Sequence, residues 1–288
     1  MTRVRHPALP HGQEIELPGR GTTFARLLDG PAGAPTVLLL HGWTASADLN
    51  FYTCFSALAE HFRVVALDHR GHGRGIRSKR AFTLEDCADD AMAVCDVLGI
   101  DRVVPVGYSM GGTIAALLWR RHAERVHGLV LCATAPHFTS SRQERMGFLG
   151  LSGLAALARL TPGQAQQWLT DQFYLQRKQQ TWEPWAVHEA ARHDWRMVLE
   201  AGRAIGRFDA RPWLSDVDVP ASVVVTLRDR VVPLHRQVKY FEGLADVEAF
   251  RVDGDHDAVA ARAERFVPTL LRACHSVLER AGVTVPAR

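Results

Sequence analysis

The sequence predicts an α/β fold in which a doubly wound, mostly parallel sheet carries a single helical insertion. Three observations point there. Short apolar runs rich in Val, Leu and Ala recur along the chain. Helix-length segments separate them, and strand–helix alternation of this kind builds a sheet covered on both faces. The alternation then stops once, between about Pro136 and Pro212, where every segment reads as helix.

In chain order, "EIELPGRGTTFARLLDG" (14–30) reads as an antiparallel hairpin at the sheet edge. "TVLLL" (36–40), "RVVAL" (63–67), "RVVPVG" (102–107) and "GLVLCA" (128–133) read as strands, as do "SVVVTL" (222–227) and "VEAFRV" (247–252). Their apolar character is continuous rather than alternating, as expected of strands with both faces buried. Helical spacing predicts helices over Leu84–Leu98, Thr113–His122, Leu234–Leu244 and Ala258–Leu278. The interruption contains "FLGLSGLAALARL", "GQAQQWLTDQFY" and "PWAVHEAARHDWRMVLEAGRAI", punctuated by Pro and Gly. It holds Trp168, Trp182, Trp185 and Trp195, with Trp213 at its exit. The expected organisation is a core of residues 1–136 and 213–288, with 137–212 inserted as a helical cap.

Composition narrows the function classes. A chain of 288 residues that is 47% hydrophobic and 23% charged can bury a substantial core. The net charge is +3, and no basic block is interleaved with aromatics, so nucleic-acid binding has no support. The five cysteines are scattered and form no CxxC pair, which argues against a zinc site or a disulfide framework. They read as buried free thiols in a reducing compartment. No apolar stretch of membrane-spanning length or secretory h-region is present, and a cytoplasmic location without stable membrane insertion is expected. No metal or organic cofactor is expected.

"GYSMG" (107–111) fits G-x-S-x-G, follows the strand "RVVPV" and opens the helix "TIAALLWRRH". That strand–turn–helix setting forces a serine into strained geometry and needs small neighbours, which Gly107 and Gly111 supply. Ser109 is therefore the candidate nucleophile. "HGW" (41–43) ends another buried strand, so the backbone N–H of Trp43 can join that of Met110 as an oxyanion hole. His41 is read as bracing that loop. "LDHRGHGRG" (67–75) is a glycine-rich turn without the Gly-Lys-Ser/Thr ending of a phosphate loop.

A serine hydroxyl needs a base, and the base needs a carboxylate to orient it. Among fourteen histidines, His256 follows the last strand and would open on the same carboxyl edge as Ser109. His69 and His72 lie in an early turn, and His137, His188 and His193 belong to the insertion; their claims are weaker. Asp229 follows the strand at 222–227 on that same edge. Asp216 and Asp218 precede that strand, while Asp255 and Asp257 flank the histidine too closely to orient it.

With "HGW" (41–43), "DHRGHG" (68–73), "GYSMGG" (107–112), "RDRVVP" (228–233) and "GDHDAV" (254–259), the chain resembles the α/β-hydrolase superfamily over nearly its whole length. The order Ser109, Asp229, His256 is the order used there. The resemblance implies a helical cap after the sixth strand. Because relatives that open epoxides or remove halides carry an aspartate at the elbow, Ser109 favours acyl transfer. The expected activity is a serine hydrolase cleaving small-molecule carboxylic esters, with an apolar acyl pocket lined by Trp43, Tyr108, Trp168 and Trp185. The alternatives are a thioesterase or cofactor-free perhydrolase using the same triad, or a ligand-binding protein of this fold without turnover.

Overall fold

The computed structural model describes residues 7–139, 146–148, 150, 153–154 and 184–286. Eight strands form one sheet in the order β1-β2-β4-β3-β5-β6-β7-β8. They are β1 (Gly12–Leu17), β2 (Gly21–Leu28), β3 (Thr36–Leu40), β4 (Arg63–Leu67), β5 (Val103–Tyr108), β6 (Leu129–Cys132), β7 (Ala221–Thr226) and β8 (Val247–Val252). β1 pairs antiparallel with β2, and β2 with β4; every later pairing is parallel. The early segment is thus the antiparallel edge hairpin its sequence predicts, and the six apolar runs are strands within a residue or two.

Every residue of β3, β5, β6 and β7 is buried. Successive side chains still part to opposite faces, as the pleat requires. Leu38, Leu40, Val65 and Leu67 join one apolar layer, and Val37, Leu39, Val64 and Ala66 join the other. Helices α3 (Leu84–Val97) and α4 (Met110–Arg121) pack on the first layer. Short helices α1 (Ala47–Phe51) and α2 (Phe55–Ala59) pack on the second.

Between β6 and β7 the described residues include α5 (Pro184–Ala190) and α6 (Trp195–Arg207). Asp194 caps α6, its side chain accepting from Met197 N. The stretch at 234–244 is less regular than its pattern predicts: α7 (Leu234–Gln237) gives way to a 3-10 turn at Val238–Glu242. The last predicted helix is broken at Arg262 into α8 (Ala258–Ala261) and α9 (Ala263–Arg280), and α9 packs on the second layer. No described helix is long and apolar enough to cross a membrane.

Register sets where chemistry can occur. Leu40 pairs with Leu67 and Gly107, Tyr108 with Cys132, Cys132 with Val224, and Thr226 with Val252. The parallel strands therefore end together, and the loops after β3, β5, β7 and β8 open on one edge, where α/β sheets bind their ligands.

Candidate active site

Ser109 sits between β5 and α4 with φ 54° and ψ −116°. A non-glycine residue in that region costs on the order of 1–3 kcal/mol and persists only where its surroundings over-determine it. Here Ser109 N donates to the Cys132 carbonyl at 2.9 Å, and Gly112 N donates to the Ser109 carbonyl at 2.9 Å. The neighbouring glycines are required by space. A Cβ on Gly107 would stand 2.2 Å from the Gly111 carbonyl oxygen, and one on Gly111 would stand 1.9 Å from that of Leu40.

The structure brings the three residues singled out for acyl transfer into one hydrogen-bonded chain. His256 Nε2 lies 3.0 Å from Ser109 Oγ, and His256 Nδ1 lies 2.8 Å from Asp229 Oδ2. Asp229 is buried and tightly held: its Oδ1 accepts from Val231 N and Val232 N, and its Oδ2 accepts from Thr226 Oγ1. Tyr108 supports the other end, its hydroxyl donating to the His256 carbonyl at 2.8 Å. Asp255 accepts from His256 N and Arg230 N and so shapes the loop, while Asp218 accepts from Trp119 Nε1 on another part of the molecule.

Trp43 and Met110 occupy the loop after β3 and the first turn of α4. The N–H groups of a first helical turn have no intrahelical carbonyl to meet, and the helix dipole is positive there. Residues 42–45 form a turn closed by Ala45 N to the Gly42 carbonyl, anchored by Gly42 N donating to Asn50 Oδ1 at 2.7 Å. His41 is buried, its Nε2 accepting from His69 N at 2.9 Å, which ties this loop to the turn after β4.

A cavity of about 440 Å³ opens over Ser109 and His256. Of the four residues expected to line a pocket, Trp43, Tyr108 and Trp185 line this cavity, and Trp168 lies outside the described residues. Its remaining wall was not anticipated: Leu49 and Tyr52 from the α1 side, and Val259, Ala260 and Ala261 from α8. Trp185 packs edge-on against Tyr52 with ring centroids 5.2 Å apart. A serine capping signal at Ser46, ahead of "ADLNF", was the one sequence mark of α1.

Four imidazoles crowd behind the site. His41 stacks obliquely on His69 at 4.3 Å and on His72 at 5.4 Å, and His72 meets His193 at 5.5 Å. Burial pushes all four below the ordinary histidine range, His69 to about 3 and His193 to about 4. Among the described residues, no group of three or more His, Cys, Asp or Glu side chains is placed to hold a metal ion. The five cysteines are buried and unpaired, and burial drives the Cys54 and Cys95 thiols up to about 12.

A sequence model of the α/β-hydrolase fold matches residues 35–256, which span β3 to His256. The chain belongs to the α/β-hydrolase family. A RutD protein of Agrobacterium fabrum, named for carbamate hydrolysis, is 28% identical over 248 residues, covering 84% of this chain and 93% of its own. A bifunctional esterase/perhydrolase of Acinetobacter calcoaceticus is 38% identical over 108 residues, covering 37% of this chain and 39% of its own. Among solved structures, the enol-lactonase of Burkholderia xenovorans superposes with a TM-score of 0.74 at 24% identity, covering 91% of this chain and 100% of its own. That last likeness speaks to the fold alone.

Proposed function

We propose that this α/β-hydrolase cleaves small-molecule carboxylic esters through an acyl-enzyme on Ser109. The observation that carries the reading is the unbroken chain Ser109 Oγ, His256 and Asp229, with links of 3.0 and 2.8 Å, at the floor of a largely apolar cavity. His256 keeps its proton on Nδ1, donating to Asp229, so that Nε2 is free to accept the Ser109 proton. Ser109 Oγ attacks the ester carbonyl, and the N–H groups of Trp43 and Met110 receive the developing oxyanion. His256 then hands the proton to the departing alcohol. Water, deprotonated by the same Nε2, releases the carboxylic acid and restores Ser109.

Each oxyanion donor in such a site is worth roughly 100- to 1,000-fold in rate. In this reading the segment between β6 and β7 serves as a cap, with α5 bringing Trp185 and Ala186 over the acyl portion. The esterase among the relatives supports ester chemistry, and its perhydrolase activity is a reason to include peroxide in the substrate panel.

Intact mass after exposure to a fluorophosphonate tests the reading. One adduct on the wild type, none on Ser109→Ala and slow labelling of His256→Ala are expected, followed by multiple turnovers on an ester and thioester panel. A folded wild type that takes no adduct, or captures ligand once without turnover, overturns it.

A further inference from the structure

We infer that His193, which belongs to the segment between β6 and β7, is a positioning residue that clamps the loop carrying the Trp43 N–H. The inference rests on the serine-hydrolase reading above and adds a residue that the Ser109–His256–Asp229 chain does not include.

Thr44, directly after Trp43, has φ 60°, a left-handed conformation that a β-branched residue strongly resists. Something must hold it there. His193 is buried and spans two core loops: its Nδ1 accepts from Gly73 N at 2.8 Å, and its Nε2 lies 3.1 Å from the Thr44 carbonyl oxygen. Because Nδ1 is an acceptor, the neutral ring carries its proton on Nε2 and donates it to Thr44. The imidazole thereby fixes the peptide that follows the strained residue.

Neighbouring bonds act on the same two loops. Trp43 Nε1 donates to the Val198 carbonyl at 2.7 Å, and Asp194 N donates to the Gly71 carbonyl at 2.8 Å. Arg77 Nη2 reaches the Arg192 carbonyl at 2.5 Å and the Gly73 carbonyl at 2.6 Å. Residues 192–198 thus grip the 43–44 turn and the 71–73 turn together. An oxyanion donor works only when it is fixed before charge develops, because reorganisation during reaction forfeits most of its value. The clamp supplies that fixation from outside the triad.

The two amide substitutions separate the bonds. His193→Gln can place a donor near the position of Nε2 and so retain the Thr44 contact. His193→Asn can accept from Gly73 N but falls short of Thr44. Expected for His193→Asn is a fall of about tenfold or more in both kcat and the fluorophosphonate inactivation rate, with KM within about twofold, as for a displaced oxyanion donor. His193→Gln stays within about threefold of wild type. Thr44→Gly, which adopts positive φ freely, recovers most of the rate when added to His193→Asn.

Equal losses in the two variants, a loss confined to KM, or no recovery with Thr44→Gly would overturn the clamp. Where His193→Asn does not fold, His193→Gln decides alone: near-wild-type inactivation supports the clamp, and a tenfold loss sinks it. Failure of the underlying reading looks different, because the wild type itself then takes no adduct.

Discussion

Asp229 and His256 stand 27 residues apart in the chain, yet Asp229 Oδ2 meets His256 Nδ1 at 2.8 Å. The parallel pairing of β7 with β8, which sets Thr226 beside Val252, delivers both loops to the same edge. The carboxylate has little freedom once there. Two backbone N–H groups hold one oxygen and the Thr226 hydroxyl approaches the other, leaving His256 along a fixed direction.

Replacing Asp229 with Asn should therefore disturb the proton inventory while leaving the shape nearly intact. An amide donor facing Nδ1 would push the imidazole proton to Nε2, where it can no longer take the Ser109 proton. Loss of kcat by roughly 10⁴-fold is expected from the behaviour of triads with this change. Steady-state kinetics on any turned-over ester, with a matched urea midpoint as the folding control, would decide it. A kcat within tenfold of wild type would remove Asp229 from the proposed triad.

Gly111→Ala should destabilise the fold severely. Its methyl group would be driven to 1.9 Å from the Leu40 carbonyl oxygen, a backbone atom that cannot rotate away. Either β3 separates from α4 or the elbow opens. A loss of about 3 kcal/mol or more is expected, at the upper end of overpacking costs. Urea denaturation of the purified variant reads this directly, and an unchanged midpoint would mean that the elbow is looser than its geometry states.

The strands and the elbow were legible because their signals are local. Short runs dominated by Val and Leu, as in "TVLLL" and "SVVVTL", admit few readings, and G-x-S-x-G between a strand and a helix needs only its immediate neighbours. The position of Asp229 followed from counting which end of a parallel strand it flanks. Helices α1 and α2 were missed because five residues cannot display a 3.6-residue period. The break at Arg262 was missed for a related reason: apolar spacing runs on through it. His193 was read as one of several histidines in an insertion. Its partners, Gly73 and Thr44, lie 120 and 149 residues away, and no local pattern marks a contact of that separation.

The aromatic wall yields a separate expectation. Trp185 is buried against Tyr52 and lines the cavity, which places it both for packing and for contact with a bound acyl group. Trp185→Ala removes contact area shared by bound substrate and transition state alike. KM should rise about tenfold for a bulky acyl ester, equivalent to roughly 1.4 kcal/mol of lost binding, while kcat changes little. Comparing acetyl with longer acyl esters tests the assignment. An equal effect on both would mean that Trp185 does not contact the acyl chain.

The buried imidazoles make the fold acid-labile. His41, His69, His72 and His193 all have folded-state pKa values depressed by burial, with His69 at about 3 and His193 at about 4. In the unfolded chain each takes up a proton near pH 6.5, so stability is complete above that value and falls as pH drops below it. Asp68 opposes this trend, since burial raises its pKa to about 6 and the folded state gains a proton first. Four of these groups act against one, and burial lowers His127, His137 and His275 as well, so near pH 5 the folded state binds fewer protons than the unfolded chain and stability falls as pH drops. Urea midpoints at pH 7.0 and 5.0 should differ steeply. His69→Leu should flatten the dependence by up to about 1.4 kcal/mol per pH unit, because among the described residues that ring has no hydrogen-bond partner at either nitrogen to lose. A pH-independent midpoint across this range would show that the four rings are not held neutral.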